Sequence, residues 1–358
     1  MEPMRPTSLL LVAALALAAC SGADAAEQTT TTTAPPTTTG APKTTTTTTV
    51  ETTTTTRAVA DGSPSPINGE PISDESLLDR RALVVKIDNH PNARPQSGLS
   101  EADAVIELMV EGTTRLVAVL HAGDAETVGP IRSMRPTDGH LARIFDAPLV
   151  TSGGQDWVTA LVRGTGTSII GEVGRPQTFR SSSRSAPHNL YGDTTAIREL
   201  ADSRDYDNEP PSALWEFGDM PTDTDGATAI TLPFASGLVV RWAWDGTKYT
   251  KTTNGAEHSW ILPNGESEQM WAETLVVLEM LTYTQSPPPG GGPAKAVESV
   301  GSGNAYVFSN GQVVEGTWRR DALEDTFTLT TGEETMVVPP GKLWIGFFDR
   351  DQTPSWSE

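Results

Sequence analysis

Seven arginines (Arg132, Arg135, Arg143, Arg163, Arg175, Arg180 and Arg184) fall between Gly129 and Arg184, against four acids and no lysine. That stretch carries +3 in a chain whose formal net charge is −21. Guanidinium forks match phosphate and carboxylate oxygens bidentately. Arg132 and Arg135 stand just before an expected helix start at Thr137 or Asp138, where unpaired backbone N–H groups favour an anion. The functional reading is an anion pocket of Arg132, Arg135, Arg180 and Arg184, with His188 and Asn189 as further polar contacts. The opposing reading pairs these arginines with carboxylates and makes them loop staples. In so acidic a chain both readings stay open.

Other chemistry is sparser. Asp88, His90 and His121, with His188 and Glu111, are the residue types a divalent cation would take. Five histidines scattered over 358 residues show no helix-borne ligand spacing, so no metal or other cofactor is expected. Asp88 and Asn89 suit loop-fixing hydrogen bonds instead. There is no Gly-x-Ser-x-Gly elbow, no Walker-type loop and no dinucleotide fingerprint. Gly301-Ser302-Gly303 reads as a turn. Most of the nine tryptophans fall in expected strands, where aromatic packing is the plain role.

The elements that would position these residues alternate at first. Arg81–Asp88, Asp103–Val110 and Arg115–His121 are apolar strand-like runs, the last two joined by a short link. Helices are expected from Thr137 or Asp138 to about Phe145, over Gln155–Val162, and after Asp193, which is a capping residue type. Ala147–Thr151 is a further strand, and if Arg115–His121 ends at the arginine loop, that loop lies at a strand's carboxyl edge. From Asp225 the texture becomes β. Gly237–Trp244, Thr247–Thr253 and His258–Leu262 are joined by Asp245-Gly246 and Asn254-Gly255, which are hairpin turn signals. Ala272–Leu281, Asn304–Ser309, Gln312–Arg319, Thr326–Thr331 and Lys342–Phe348 continue an antiparallel pattern. The expected fold is an α/β N-terminal domain (76–222) followed by a mainly antiparallel β C-terminal domain (223–350).

The first 75 residues read differently. Arg5 precedes an apolar run, Leu9–Ala19, long enough for a signal sequence and too short to span a bilayer. Leu17-Ala18-Ala19-Cys20 has the small residues and the thiol of a bacterial lipobox. The expectation is a signal peptide (1–19), lipid on Cys20, and a disordered Thr/Pro-rich linker (20–75), of which roughly 45 residues reach about 150 Å when extended. Two acyl chains would anchor the protein stably to the extracytoplasmic face of the cell membrane. Cys20 is the one cysteine, which excludes disulfides and thiol nucleophiles from the folded part. Net charge of −21 argues against a nucleic-acid partner.

Three motifs occur together: Val85-Lys86-Ile87-Asp88-Asn89-His90-Pro91, Gly129-Pro130-Ile131-Arg132-Ser133-Met134-Arg135-Pro136, and Ser185-Ala186-Pro187-His188-Asn189-Leu190-Tyr191. In order and spacing they resemble the YerB-like lipoproteins. Gly316-Thr317-Trp318 and Pro340-Gly341-Lys342-Leu343-Trp344-Ile345 resemble that family's C-terminal domain. The likeness runs from about Ala82 to Phe348. It implies a two-domain envelope lipoprotein and no particular activity. The functional expectation is a non-catalytic module that binds an anionic cell-wall polymer, a lipid-linked precursor or an envelope protein. An envelope enzyme gripping phosphate with the arginines, and a structural adaptor without a small-molecule site, are the alternatives.

Overall fold

The computed structural model describes residues 61–358; Cys20, the leader and most of the threonine-rich segment lie outside them. The apolar runs form β1 (Leu83–Ile87), β2 (Ala104–Met109) and β3 (Thr114–Leu120). α1 (Asp138–Ile144), β4 (Leu149–Val150), α2 (Asp156–Gly164) and β5 (Ile169–Ile170) follow, then α3 (Thr194–Ser203). The second half contributes β6 (Ala229–Ala235), β7 (Leu238–Trp244), β8 (Tyr249–Thr253), β9 (Ser259–Ile261) and β10 (Thr274–Met280). It ends with β11 (Gly301–Ser309), β12 (Gln312–Arg320), β13 (Thr328–Thr331) and β14 (Leu343–Asp349).

One twelve-stranded sheet takes strands from both halves, its path running through β13-β12-β11-β10-β14-β2-β3-β1-β4-β5. β14 lies parallel to both β10 and β2, and so joins the two halves by backbone hydrogen bonds. This corrects the antiparallel expectation for the last strand. The α/β layout is narrower than expected. Parallel pairing in the first half is confined to β1–β4–β5, with α2 crossing from β4 to β5, while β1, β2 and β3 pair antiparallel. The chain is mostly β, with three short α-helices among the described residues.

Alternation along the strands divides the core in two. Leu83, Val85 and Ile87 face one cluster, whereas Ala82 and Val84 face the other, as a period of two requires. The first cluster is filled by the second sheet, β6–β7–β8. There Trp242 meets Trp344 at 5.0 Å and Phe234 meets Phe348 at 5.4 Å, both edge-on. The second cluster is closed by α1 and α2 through Leu141, Phe145, Val158 and Val162. Trp242, Trp260, Trp318 and Trp344 are buried, so tryptophan serves as packing.

Several boundaries move. The expected linker reaches residue 75, yet Ile67 is fully buried and Ser65 Oγ accepts the Ile67 and Asn68 N–H groups. At the other end Ser355–Ser357 pairs with β6, beyond residue 350. β9 leaves the second sheet to pair with Ser267–Gln269 and, in parallel, with Gln96–Ser97. Gly301-Ser302-Gly303 is not a turn but the start of β11, opposite Arg320, Arg319 and Trp318. A Cβ on Gly303 would stand 2.3 Å from the Glu279 carbonyl oxygen and 2.7 Å from Trp318 Nε1. Gly303→Ala is therefore expected to destabilise by about 1–3 kcal/mol. A urea titration checks this, and an unchanged midpoint would contradict it.

Candidate functional site

The carboxyl ends of the parallel strands β1, β4 and β5 share one edge, which is where sheets of this kind bind ligands. The arginine loop is fastened there, to the ends of β1 and β4, and so lies at a strand's carboxyl edge through these strands and not through β3. Asp88 N–H donates to the Pro130 carbonyl at 2.8 Å, Arg132 N–H to the Lys86 carbonyl at 2.8 Å, and Ile131 bridges Ile87. After β4, Thr151 Oγ1 and Ser152 N–H both donate to the Arg132 carbonyl, at 3.0 and 3.1 Å. Gly153-Gly154 then lets the chain turn against Met134: a Cβ on Gly154 would meet Met134 Cγ at 2.8 Å. Gln155 starts α2 without a side-chain cap, so the first-turn N–H groups are left uncapped. A cavity of about 360 Å³ opens between these pieces, lined by Ser133, Met134, Arg135, Gly154, Gln155 and Val158.

A third piece brings the histidine. Thr178–Arg180 pairs with Leu190–Gly192 as a hairpin, and Ile131 N–H donates to the Leu190 carbonyl at 2.6 Å. The hairpin's turn carries His188 to Asp88, where Nδ1 lies 2.7 Å from Oδ2. Asp88 is fully buried and is shared: Arg115 Nη1 is 2.5 Å from Oδ1, and Arg132 Nε is 3.1 Å from Oδ2 as an ion-pair contact without hydrogen-bond geometry. Burial lowers the Arg115 pKa to about 10, against the pull of Asp88. A guanidinium at that value is still charged near neutrality. Two guanidiniums on one carboxylate leave a net +1 at the edge, before His188 is counted.

The other expected site residues are occupied. Arg135 grips Glu111 through Nε and Nη2 at 2.7–3.0 Å. Burial works against ionisation of Glu111, but Arg135 and the Lys295 N–H hold its carboxyl below the ordinary value. Arg180 bonds Glu172 at 2.8 and 2.5 Å and Asn189 Oδ1 at 2.9 Å. Arg184 donates to the Asn92 and Pro95 carbonyls, which straps the His90 loop. Arg132 and His188 thus converge on Asp88, whereas Arg135, Arg180, Arg184 and Asn189 serve mainly as fastenings around them.

The metal set does not assemble. His121 directly follows β3, whose last residue Leu120 lies opposite Leu83, at the other end of β1 from Asp88, because β1 and β3 run antiparallel. His90 Nδ1 is already taken by the Asn92 N–H at 3.2 Å. No cluster of three metal-ligand side chains exists among the described residues.

Sequence reasoning missed Arg115 and a buried polar network behind Asp88. Asn89 Nδ2 donates to Thr114 Oγ1, which donates to Glu107 Oε1, each at 2.7 Å. Glu107 pairs with Lys251 of β8 at 3.2 Å, and Lys251 Nζ lies 3.2 Å from His258 Nδ1. His258 Nε2 reaches Gln96 Oε1, and Gln96 Nε2 returns to Asn89 and Asp88 at 3.0 Å. The signal was present: Lys86, Glu107 and Arg115 are charges inside apolar strand runs, which must find partners when buried. Lys86 finds Asp138 at 2.6 Å, both fully buried.

Residues 67–207 match the model of the N-terminal domain of a protein of unknown function (DUF3048), and residues 230–345 match its C-terminal domain. YerB of Bacillus subtilis (strain 168), a protein provisionally named as a lipoprotein, is 24% identical over 283 residues. That alignment covers 76% of this chain and 82% of YerB. The crystal structure of YerB superposes with a TM-score of 0.71 at 23% identity, covering 82% of this chain and 99% of that one. This is a likeness of fold. With both domain models matched in order over most of its length, the chain belongs to the DUF3048 family of proteins of unknown function.

Proposed function

We propose that this protein is a lipid-anchored module of the extracytoplasmic face that binds an anionic group, phosphate or carboxylate, of a wall component, lipid-linked precursor or partner protein. The observation that carries the reading is the convergence of Arg115, Arg132 and His188 on one buried carboxylate at the carboxyl edge of parallel strands. That edge is positive within a chain of net charge −21 and adjoins an uncapped helix start and a cavity. The Arg132 side chain makes no hydrogen bond among the described residues, only the ion-pair contact with Asp88, so its guanidinium retains donors for a ligand. The lipobox at Leu17–Cys20 and the provisional name of YerB support the anchor. Metabolic labelling with a clickable fatty acid tests it: the wild type should be marked, and Cys20→Ser should be unmarked and released from membranes.

Sulfate titration at low salt tests the site. Arg132→Ala with Arg135→Ala is expected to weaken sulfate binding at least about tenfold. Asp88 keeps Arg115 and His188 in that variant, and the Arg135–Glu111 pair is partly exposed, so stability should fall by less than about 2 kcal/mol. Unaltered sulfate affinity would remove the binding role. A cooperative loss well beyond that figure would make these arginines structural.

A further inference from the structure

The two oxygens of Asp88 hold different groups. Oδ1 accepts the His90 N–H at 3.0 Å and Arg115 Nη1 at 2.5 Å, while Oδ2 faces His188 Nδ1 and Arg132 Nε. An ionised carboxylate only accepts, so the hydrogen between Asp88 and His188 sits on Nδ1. In the neutral ring Nε2 is then a bare lone pair, and it has no partner among the described residues. The His188 side chain keeps 15% of its surface exposed, so a ligand can reach it. His90 stacks on it, ring centroids 4.6 Å apart and 19° from coplanar. Because His90 Nδ1 accepts the Asn92 N–H, its own hydrogen sits on Nε2. The stacked pair therefore offers a base and a donor beside a guanidinium. An imidazole aimed by a buried carboxylate next to an anion holder is what general-base catalysis requires.

Resting on the anion-binding reading above, we propose that this edge hydrolyses phosphodiesters, with His188 as general base, Asp88 as its positioning residue and Arg132 holding a non-bridging oxygen. Charge selects the substrate class. Arg115 and Arg132 less Asp88 leave +1, which matches the single negative charge of a diester better than the two of a monoester. In the step, a water oxygen forms a bond to phosphorus as one ester P–O bond breaks. The water proton passes to His188 Nε2, and the departing alkoxide takes a proton from solvent. The products are an alcohol and a phosphomonoester, with no change in oxidation state.

The test uses the detergent-solubilised full chain with bis(p-nitrophenyl) phosphate as probe and sulfate binding measured alongside. His188→Gln is expected to lower kcat about 100-fold or more, with KM changed less than about threefold. Asp88→Asn should act in the same direction, and if it fails to fold, the partly exposed His188 still decides the matter. Arg132→Gln should instead raise KM. Sulfate binding without nitrophenolate release would overturn the hydrolytic role and leave the binding reading standing. Release that His188→Gln does not alter would also overturn it. Neither binding nor release would remove both.

Discussion

Lys251→Met is expected to lower the unfolding free energy by about 3–5 kcal/mol, read as a drop in the urea midpoint. Lys251 and Glu107 are at most 1% exposed and stand on different sheets, 3.2 Å apart. The methionine fills similar space but leaves the Glu107 carboxylate with only neutral donors, Trp344 Nε1 at 3.2 Å and Thr114 Oγ1 at 2.7 Å. Removing one partner of a buried pair costs much more than the pair contributes net, because the survivor's charge stays desolvated. The double variant Glu107→Gln with Lys251→Met should therefore regain at least half of the loss. A single variant within about 1 kcal/mol of wild type would show that the pair does not tie the sheets together.

The second large effect is a loss of stability between pH 6.5 and pH 5. His258 is held well below 6.5, first by burial and then by Lys251 and Arg94. Its contacts agree: Nδ1 faces Lys251 Nζ and Thr253 Oγ1 while Nε2 donates to Gln96, so a second ring proton would point at an ammonium. Burial also lowers His121, opposed by Asp103, and lowers His140, aided by Arg320. In the unfolded chain these rings bind protons below about 6.5, whereas in the folded chain they do not. Stability is therefore fully present above 6.5 and falls with pH below it, by up to ~1.4 kcal/mol per unit for each ring. The depressed carboxyls of Glu111 and Asp124 act only at lower pH, so this window belongs to the imidazoles. His258→Gln, which keeps a donor for Gln96, should flatten the slope. An equal urea midpoint at pH 7 and pH 5 would sink the claim.

Much of the scaffold was legible. Charges interrupting apolar runs did not obscure β1, β2 and β3, because five- to seven-residue runs rich in valine, leucine and isoleucine have few other uses. Asp193 caps α3 as its type predicts, its side chain accepting the Ala196 N–H at 3.1 Å. Thr137 does not cap α1; its hydroxyl bonds the Val297 backbone instead, a partner 160 residues away. For the candidate site, the sequence singled out the arginine loop and His188, two of whose side chains, Arg132 and His188, meet at Asp88, but not which arginines would be spoken for. Glu111 and Glu172 lie outside the arginine loop, and only the fold brings them to Arg135 and Arg180.

Residue order alone determined whatever depends on neighbours within a few positions. This covers the lipobox-like residues Leu17-Ala18-Ala19-Cys20, the threonine tracts, strand periodicity, the Asp245-Gly246 and Asn254-Gly255 hairpins and the family likeness. Those features arise from local sterics, capping and the alternation of side chains about the backbone. Tertiary structure alone decided that β14 inserts between β10 and β2, that Lys251 meets Glu107, and that Asp88 gathers Arg115, Arg132 and His188. The reason is range. A strand edge or a buried charge accepts any complementary partner, and which one arrives is settled when distant segments pack into a single core.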